Sequence, residues 1–255
     1  MTPSALAVVV PAHNEEDRIA ACLRSLRVAA ARAASLPVVI VVAADACTDA
    51  TADLAARGGA HVLETPGRNV GAARAAGTDR ALELLAGAGP DVWLAMTDAD
   101  TTVPAAWLTH QAALARRGYD AVLGSIRLDP ATAGALLVAR HDVDYFRTRG
   151  PGEAGRGWEH PHVHGANLGV SAAAYLRVGG FTPLPSGEDR DLAIRLSATG
   201  HRIARTDQHP VHTAARLRGR APGGLADLLA ALHRATWHPP VPMHGPVPPD
   251  PVGLA

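Results

Sequence analysis

The sequence predicts an α/β protein with a Rossmann-like, mostly parallel sheet flanked by helices, and three observations carry that prediction. Continuous apolar runs of strand length recur in the first hundred residues: ALAVVVPA (5–12), PVVIVVAA (37–44) and DVWLAMT (91–97). Runs that are apolar at every residue suit strands covered on both faces, as in a parallel sheet. Between them lie segments of helical length and pattern, some closed by glycine. Strands and helices alternating at this spacing mean right-handed βαβ units.

After the first run comes NEEDRIAACLRSLRVAAARAA, with Ile19, Leu23, Leu26 and Ala30 on one helical face and acids in its first turn. CTDATADLAARGG reads as a helix ended by glycines, and HVLETP as a short third strand. NVGAARAAGTDRALELLAG is a helix and DVWLAMT the fourth strand. Beyond residue 100 the rhythm loosens. Pro104 opens a helix to about Arg117, DAVLGSIRL is strand-like, and 131–148 reads as a helix. Residues 149–164 are Gly-rich and read as a mobile loop. HGANLGVS and AAYLRVGGF follow, then GEDRDLAIRLSATG, an amphipathic helix with Leu192, Ile194 and Leu196 and a Gly stop. Residues 201–213 form one or two short strands, and seven prolines between 238 and 251 make the tail extended. One domain is expected over 1–222, in two halves that part at about residue 100. A C-terminal helix and Pro-rich tail fill 223–255.

The balance of 47% apolar and 19% charged residues with zero formal net charge suits a globular protein and argues against general nucleic-acid binding, which leaves a basic excess. All 24 basic residues are Arg, a bias that accompanies the Ala, Gly and Pro content and carries little functional meaning. Cys22 and Cys47 give neither a disulfide framework nor a metal spacing. No apolar run reaches the roughly 18 residues of a membrane span, and the N-terminus passes directly into a strand-like run without the parts of a signal peptide. A cytoplasmic protein is expected.

Ligands of open α/β sheets bind beyond the carboxyl ends of the strands. Here those ends carry Pro11, His13, Asn14 and Glu15; Asp45, Thr48 and Asp49; Arg68 and Asn69; and Asp98 and Asp100. Each has a local alternative: Asn14 as an N-cap, Asp45 and Asp49 as caps of the second helix, Asp100 with Thr101 as the start of the fourth. Asp98 and Asp100 need more explanation than the others. Two carboxylates, two positions apart at the end of a buried strand, repel each other and call for a cation opposite them. The three Asn of the chain, Asn14, Asn69 and Asn167, also fall in such loops.

VVVPAHNEEDRIAACLRSL, VVAADACTDATADLA, GRNVGAARAAG, LAMTDADTTVP, HGANLGVSAAAYLRVGGF and GEDRDLAIRL resemble, in order, the successive motifs of family 2 glycosyltransferases with the GT-A fold, over about residues 5–220. The resemblance implies a soluble, non-processive enzyme, with a nucleotide-binding half to about residue 100 and an acceptor half from there to about 222. Asp98-Ala99-Asp100 would be the DxD motif, where Mg²⁺ or Mn²⁺ bridges carboxylate and the diphosphate of a nucleotide sugar. Asp100 would touch the metal, and Asp98 the ribose or a metal-bound water. Pro11, Ala12, Asn14 and Glu15 would line the nucleoside, Asp45 would read the base, and Arg74 would lie near the nucleotide pocket. Many relatives carry two acids where this chain has Ala44-Asp45, so the choice between uridine and guanosine stays open.

In GEDRDLAIRL, the same resemblance makes Glu188-Asp189 the ED motif, with Asp189 the general base that an inverting transfer needs opposite the leaving diphosphate. A helix start is the local alternative, and both can hold together. Asp191 and Arg190 would be surface or hydrogen-bonding residues. His212 stands where relatives place a histidine completing the metal site, and Arg216, Arg218 and Arg220 with Gly219, Gly223 and Gly224 suit a lid over the diphosphate, Arg216 foremost. Gly165, Ala166 and Asn167 would line the donor-sugar pocket, and Trp158 would cover an acceptor. Trp93 and Trp107 read as core. Alternating His160, His162 and His164 invite a zinc-hydrolase alternative, against which Pro161 and the Gly-rich loop argue. A non-catalytic sugar-nucleotide-binding domain is the other competitor. HRATW (233–237) only echoes the motif of processive synthases, and a nucleotidyltransferase would need a Gly-rich loop after the first strand that is missing here.

Overall fold

The structure, a computed structural model, describes residues 1–147, 159–217 and 224–234. Expectations for Trp158, Arg218, Gly219, Arg220, Gly223 and the Pro-rich tail lie outside the described residues. One eight-stranded sheet runs through the molecule, built from β1 (Ala5–Ala12), β2 (Val38–Asp45), β3 (His61–Thr65), β4 (Val92–Met96), β5 (Thr101–Thr102), β6 (Ala121–Leu128), β7 (Leu168–Ser171) and β8 (Ile203–Thr213). Its spatial order is β3-β2-β1-β4-β7-β6-β8-β5. The first four strands are parallel, β7 runs antiparallel to both β4 and β6, and β8 is parallel to β6. The mostly parallel α/β class therefore holds.

Eight helices cover the sheet among the described residues: α1 (Ile19–Arg32), α2 (Thr51–Arg57), α3 (Val70–Leu84), α4 (Trp107–Arg116), α5 (Ala135–Tyr145), α6 (Ala172–Arg177), α7 (Glu188–Ala198) and α8 (Leu225–Arg234). Two apolar cores result. One, under α1, α2 and α4, holds Leu23, Leu26, Trp93 and Trp107; the other, under α3, α6 and α7, holds Val9, Leu94, Tyr175 and Leu192. Both tryptophans are buried, and each indole N–H has an acceptor, Gln111 Oε1 for Trp93 and Asn167 Oδ1 for Trp107, both at 2.8 Å. None of the described helices is long and apolar enough to cross a membrane.

Two sequence expectations need correction, and a third resolves to one of its alternatives. Helix α1 begins at Ile19, so the NEED acids stand in a preceding turn and none lies in the first helical turn. Ile194 is 63% exposed, while Leu192, Ala193 and Leu196 carry the buried apolar stripe of α7. Residues 203–213 form a single strand, broken by a bulge where His209 adopts a positive φ of 57° ahead of Pro210.

His160, His162 and His164 do share a face; His162 and His164 stack on Tyr145 of α5, and His160 stacks on His162. The His162 and Tyr145 rings lie 3.9 Å apart and nearly parallel, with His141 on Tyr145 at 5.0 Å. Their nitrogens are directed at protein oxygens: Nε2 of His160 at the Thr206 carbonyl, Nε2 of His162 at that of Tyr145, and Nε2 of His164 at the Tyr145 hydroxyl. Parallel rings bonded this way do not converge on an ion, and among the described residues no three His, Cys, Asp or Glu side chains could hold a metal. The zinc alternative fails on that geometry.

Burial pushes His164 down to about 3 and His110 to about 4, and lowers His141 and His160. These imidazoles are neutral in the fold and protonate near pH 6.5 once it opens. A depressed folded value gives stability that is complete above 6.5 and lost as pH falls. Asp100, raised to about 6, and Glu188, also raised by burial, act in the opposite sense but are outnumbered by the four imidazoles. The urea midpoint should thus fall steadily from about pH 7 to about pH 5, and a flat profile there would contradict the neutral stack.

Candidate active site

The site opens where β4 leaves β1. Thr97 donates to the Val9 carbonyl at 3.3 Å, the last bond on that side. Two residues on, Pro11 needs no partner for the N–H it lacks, so a proline is tolerated within a central strand here. The parted strands then deliver Glu15, Asp98 and Asp100 to one edge. The two-residue β5 pins the acidic turn by pairing with β8, Thr101 opposite Thr213, and Ala214 N donates to the Asp100 carbonyl at 3.1 Å.

Each DxD acid faces an arginine. Arg74 Nη2 reaches Asp98 Oδ1 at 2.5 Å, while its Nε bonds Glu188 Oε1 at 3.0 Å and its Nη1 the Gly165 carbonyl at 3.2 Å. Arg74 is 2% exposed. Burial disfavours its charge, but Asp98, Glu188 and Asp189 outweigh that and raise its pKa. Arg216 Nη2 bonds Glu15 Oε2 and lies 3.3 Å from Asp100 Oδ2. Even so, burial and the neighbouring Asp98 and Glu15 push Asp100 up to about 6, against the pull of Arg216. The cluster holds more negative charge than its arginines balance.

Gly165 joins this cluster to Asp189. Its carbonyl accepts from Arg74, and its N–H donates to Asp189 Oδ2 at 2.7 Å. A Cβ on Gly165 would stand 2.3 Å from Arg74 Nη2, so only glycine lets the guanidinium and this backbone meet. Glu188, first residue of α7, is buried against Arg74; burial raises its pKa and Arg74 opposes the shift. It positions Arg74 and does not face the site opening. Asp189 is only partly buried beside it. Asp191 turns away to Thr182 and Arg195, stapling α7 to the segment after α6.

Several expected residues do other work. Asp45 collects four donors, Thr65 Oγ1, Gly67 N and Arg68 N on Oδ1 and Asn69 N on Oδ2, so its carboxylate anchors the 66–69 loop and caps no helix. Asp45→Asn would set an amide N–H against one of those donors. It should lower stability by about 1–3 kcal/mol in the nucleotide-free protein, read from urea denaturation; an unchanged midpoint would remove the anchor. Asn14, at φ 51°, caps nothing and binds Thr48 through both ends of its amide. Asp49, by contrast, accepts from Thr51 N at the start of α2.

Asn167 does not line an open pocket. It is 3% exposed, with its amide spent on Trp107, the Ser125 carbonyl and the His209 carbonyl. His212 also departs from expectation. Along β8, Val211 and Thr213 are buried and His212 is exposed, and it is Thr213 Oγ1 that approaches Asp100 Oδ1, at 3.4 Å. Strand alternation turns the imidazole away from the acids.

The acids nonetheless suit a hard divalent ion. Mg²⁺ or Mn²⁺ takes carboxylate oxygens and completes its shell with phosphate and water, so a protein contribution of one or two carboxylates suffices. The raised Asp100 marks charge that such an ion would neutralise.

Sequence reasoning placed Arg74 near the nucleotide but missed its bridging role. A signal existed: Gly71, Ala73, Arg74, Gly77, Thr78 and Ala81 form the buried face of α3, and Arg74 is the one charge among these small residues. The backbone N–H of Gly165 left no such mark.

Acids at the ends of β1, β2 and β4, faced by Arg74 of α3 and by Arg216 after β8, on a sheet in which β7 runs antiparallel to β4, give the molecule a GT-A fold. The chain belongs to glycosyl transferase family 2, whose family model matches residues 7–177. Among solved structures it is similar to S. aureus TarS 1-349 in complex with UDP-GlcNAc, at 16% identity and TM-score 0.61, covering 89% of this chain and 66% of that one. The complex of TarS 1-349 with UDP gives 17% and 0.58, with 84% and 61% covered. Glucosyl-3-phosphoglycerate synthase from Mycobacterium tuberculosis gives 21% and 0.55, with 90% and 77% covered. The mannosyltransferase PcManGT from Pyrobaculum calidifontis gives 21% and 0.55, with 86% and 61% covered. At these identities the likeness is one of fold, and this chain spans under two thirds of the TarS 1-349 chains. No curated protein sequence matches significantly.

Proposed function

We propose that the chain is a metal-dependent, inverting glycosyltransferase that moves a sugar from a UDP- or GDP-linked donor to an acceptor hydroxyl. The observation that carries this is the continuous network Asp98–Arg74–Gly165–Asp189, which ties the candidate donor acids to the candidate base. The structures of TarS contain UDP and UDP-GlcNAc, that of the mycobacterial synthase Mn²⁺, UDP and phosphoglyceric acid, and that of PcManGT GDP-Man and Mn²⁺. Those contents support the donor class and the divalent ion.

Asp98 and Asp100 would hold the ion, which when bound supplies neutralisation of the leaving diphosphate. Arg74 holds Asp98 in place through its Nη2 bond to Oδ1. Asp189 takes the proton of the attacking hydroxyl, and the Gly165 N–H fixes one carboxylate oxygen so that the carboxylate keeps a set direction. A module that only bound sugar nucleotides would need no such base. The test is a thermal-shift panel of nucleotide sugars with and without Mn²⁺, in which one UDP or GDP sugar should raise Tm only in the presence of metal. A panel with no stabilising member would defeat the proposal.

A further inference from the structure

We propose that Arg216 is the resident counter-cation of the acidic cluster and makes metal binding depend on the diphosphate. This rests on the reading of Asp98 and Asp100 as the metal-bearing acids. Three separate elements converge on the contact: Glu15 from the loop after β1, Asp100 from the end of β4, and Arg216 from the segment after β8. The participating side chains are largely covered, with exposures of 9% for Glu15, 16% for Asp100 and 25% for Arg216.

Asp100 Oδ2, 3.3 Å from the guanidinium, is an oxygen that a divalent ion would take at about 2.1 Å. A monovalent and a divalent cation held within roughly 4 Å of each other repel strongly in a partly buried site. Metal arriving alone therefore competes with Arg216 for the Asp100 carboxylate. A diphosphate alters the balance, because it offers the guanidinium anionic oxygens in a geometry that suits bidentate bonding. Arg216 exchanges Glu15 and Asp100 for the diphosphate, and the Asp100 carboxylate passes to the ion. Arg74 cannot take this part, since it is buried and committed to three partners. The consequence is positive coupling: metal raises the affinity for diphosphate, and diphosphate raises that for metal by the same factor.

The test titrates Mn²⁺ alone into wild type, Arg216→Gln and Arg216→Met, with unbound Mn²⁺ followed by electron paramagnetic resonance. Both neutral variants should bind Mn²⁺ about tenfold or more tightly than wild type, because the competing charge is gone. Arg216→Lys should stay near wild type. UDP or GDP, titrated with Mn²⁺ saturating, should bind the neutral variants about tenfold more weakly. Opposite signs in the two titrations are the signature of exchange. Should wild type bind neither nucleotide, the proposed function falls, while the titration with Mn²⁺ alone still judges Arg216. Neutral variants that keep the wild-type melting temperature and bind Mn²⁺ no more tightly would overturn the proposal.

Discussion

Asp189→Asn should cut sugar transfer by about 10²–10⁴-fold while leaving donor affinity nearly constant. The substitution keeps the size of the side chain, and the amide oxygen can still accept from Gly165 N; what is lost locally is the exposed bond from Arg190 N to Oδ1. What it removes is the ability to take a proton from the acceptor hydroxyl, a contribution made in the transition state. Asp191→Asn is the internal control. It lies in the same helical turn, but its carboxylate is spent on Thr182 and Arg195, so its cost should appear in stability and much less in kcat. Transfer at the wild-type rate by Asp189→Asn would remove the base from the mechanism.

The second large effect concerns Arg74. Arg74→Met removes the cation shared by Asp98 and Glu188, and Glu188 is left as a buried carboxylate with a side chain only 6% exposed. Breaking one side of a buried pair typically costs about 3–5 kcal/mol. Asp98 adds less, because its side chain is 36% exposed and water can screen it. Urea denaturation should show that loss. Arg74→Met with Glu188→Leu should recover part of it, since the second change withdraws the stranded charge. A single variant within about 1 kcal/mol of wild type, or a double variant as costly as the sum, would show that the bridge does not hold the site together.

Legibility in the sequence followed the physics of each element. β1, β2 and β4 were readable because a parallel strand covered on both faces must be apolar throughout, which leaves an unbroken run. β5 was not, since its two threonines become a strand only by pairing with β8, more than a hundred residues away. The start of α1 was misplaced because acids before a helix look the same whether they sit in its first turn or in the loop, and Glu15 is drawn out of the helix to meet Arg216.

Within the site, the order of motifs identified the acids at the strand ends. It did not reveal where side chains point. His212 and Thr213 are neighbours on a strand whose two-residue period sends only one of them toward Asp100. Asn167 and Asp45 likewise belong to motifs but spend their hydrogen bonds on the core and on a loop. Such choices are made by tertiary contacts, and no local pattern records them.

The central claim is that Asp98 and Asp100 hold a nucleoside diphosphate through a divalent ion. Calorimetric titration of UDP or GDP, whichever base the donor panel selects, tests it most directly. It is run on wild type with Mn²⁺, on wild type with EDTA, and on Asp100→Ala with Mn²⁺. The account predicts measurable binding in the first case and a loss of at least about tenfold in the other two, with Asp100→Ala still folded. Equal affinity with and without the metal, or in the absence of the Asp100 carboxylate, would contradict it.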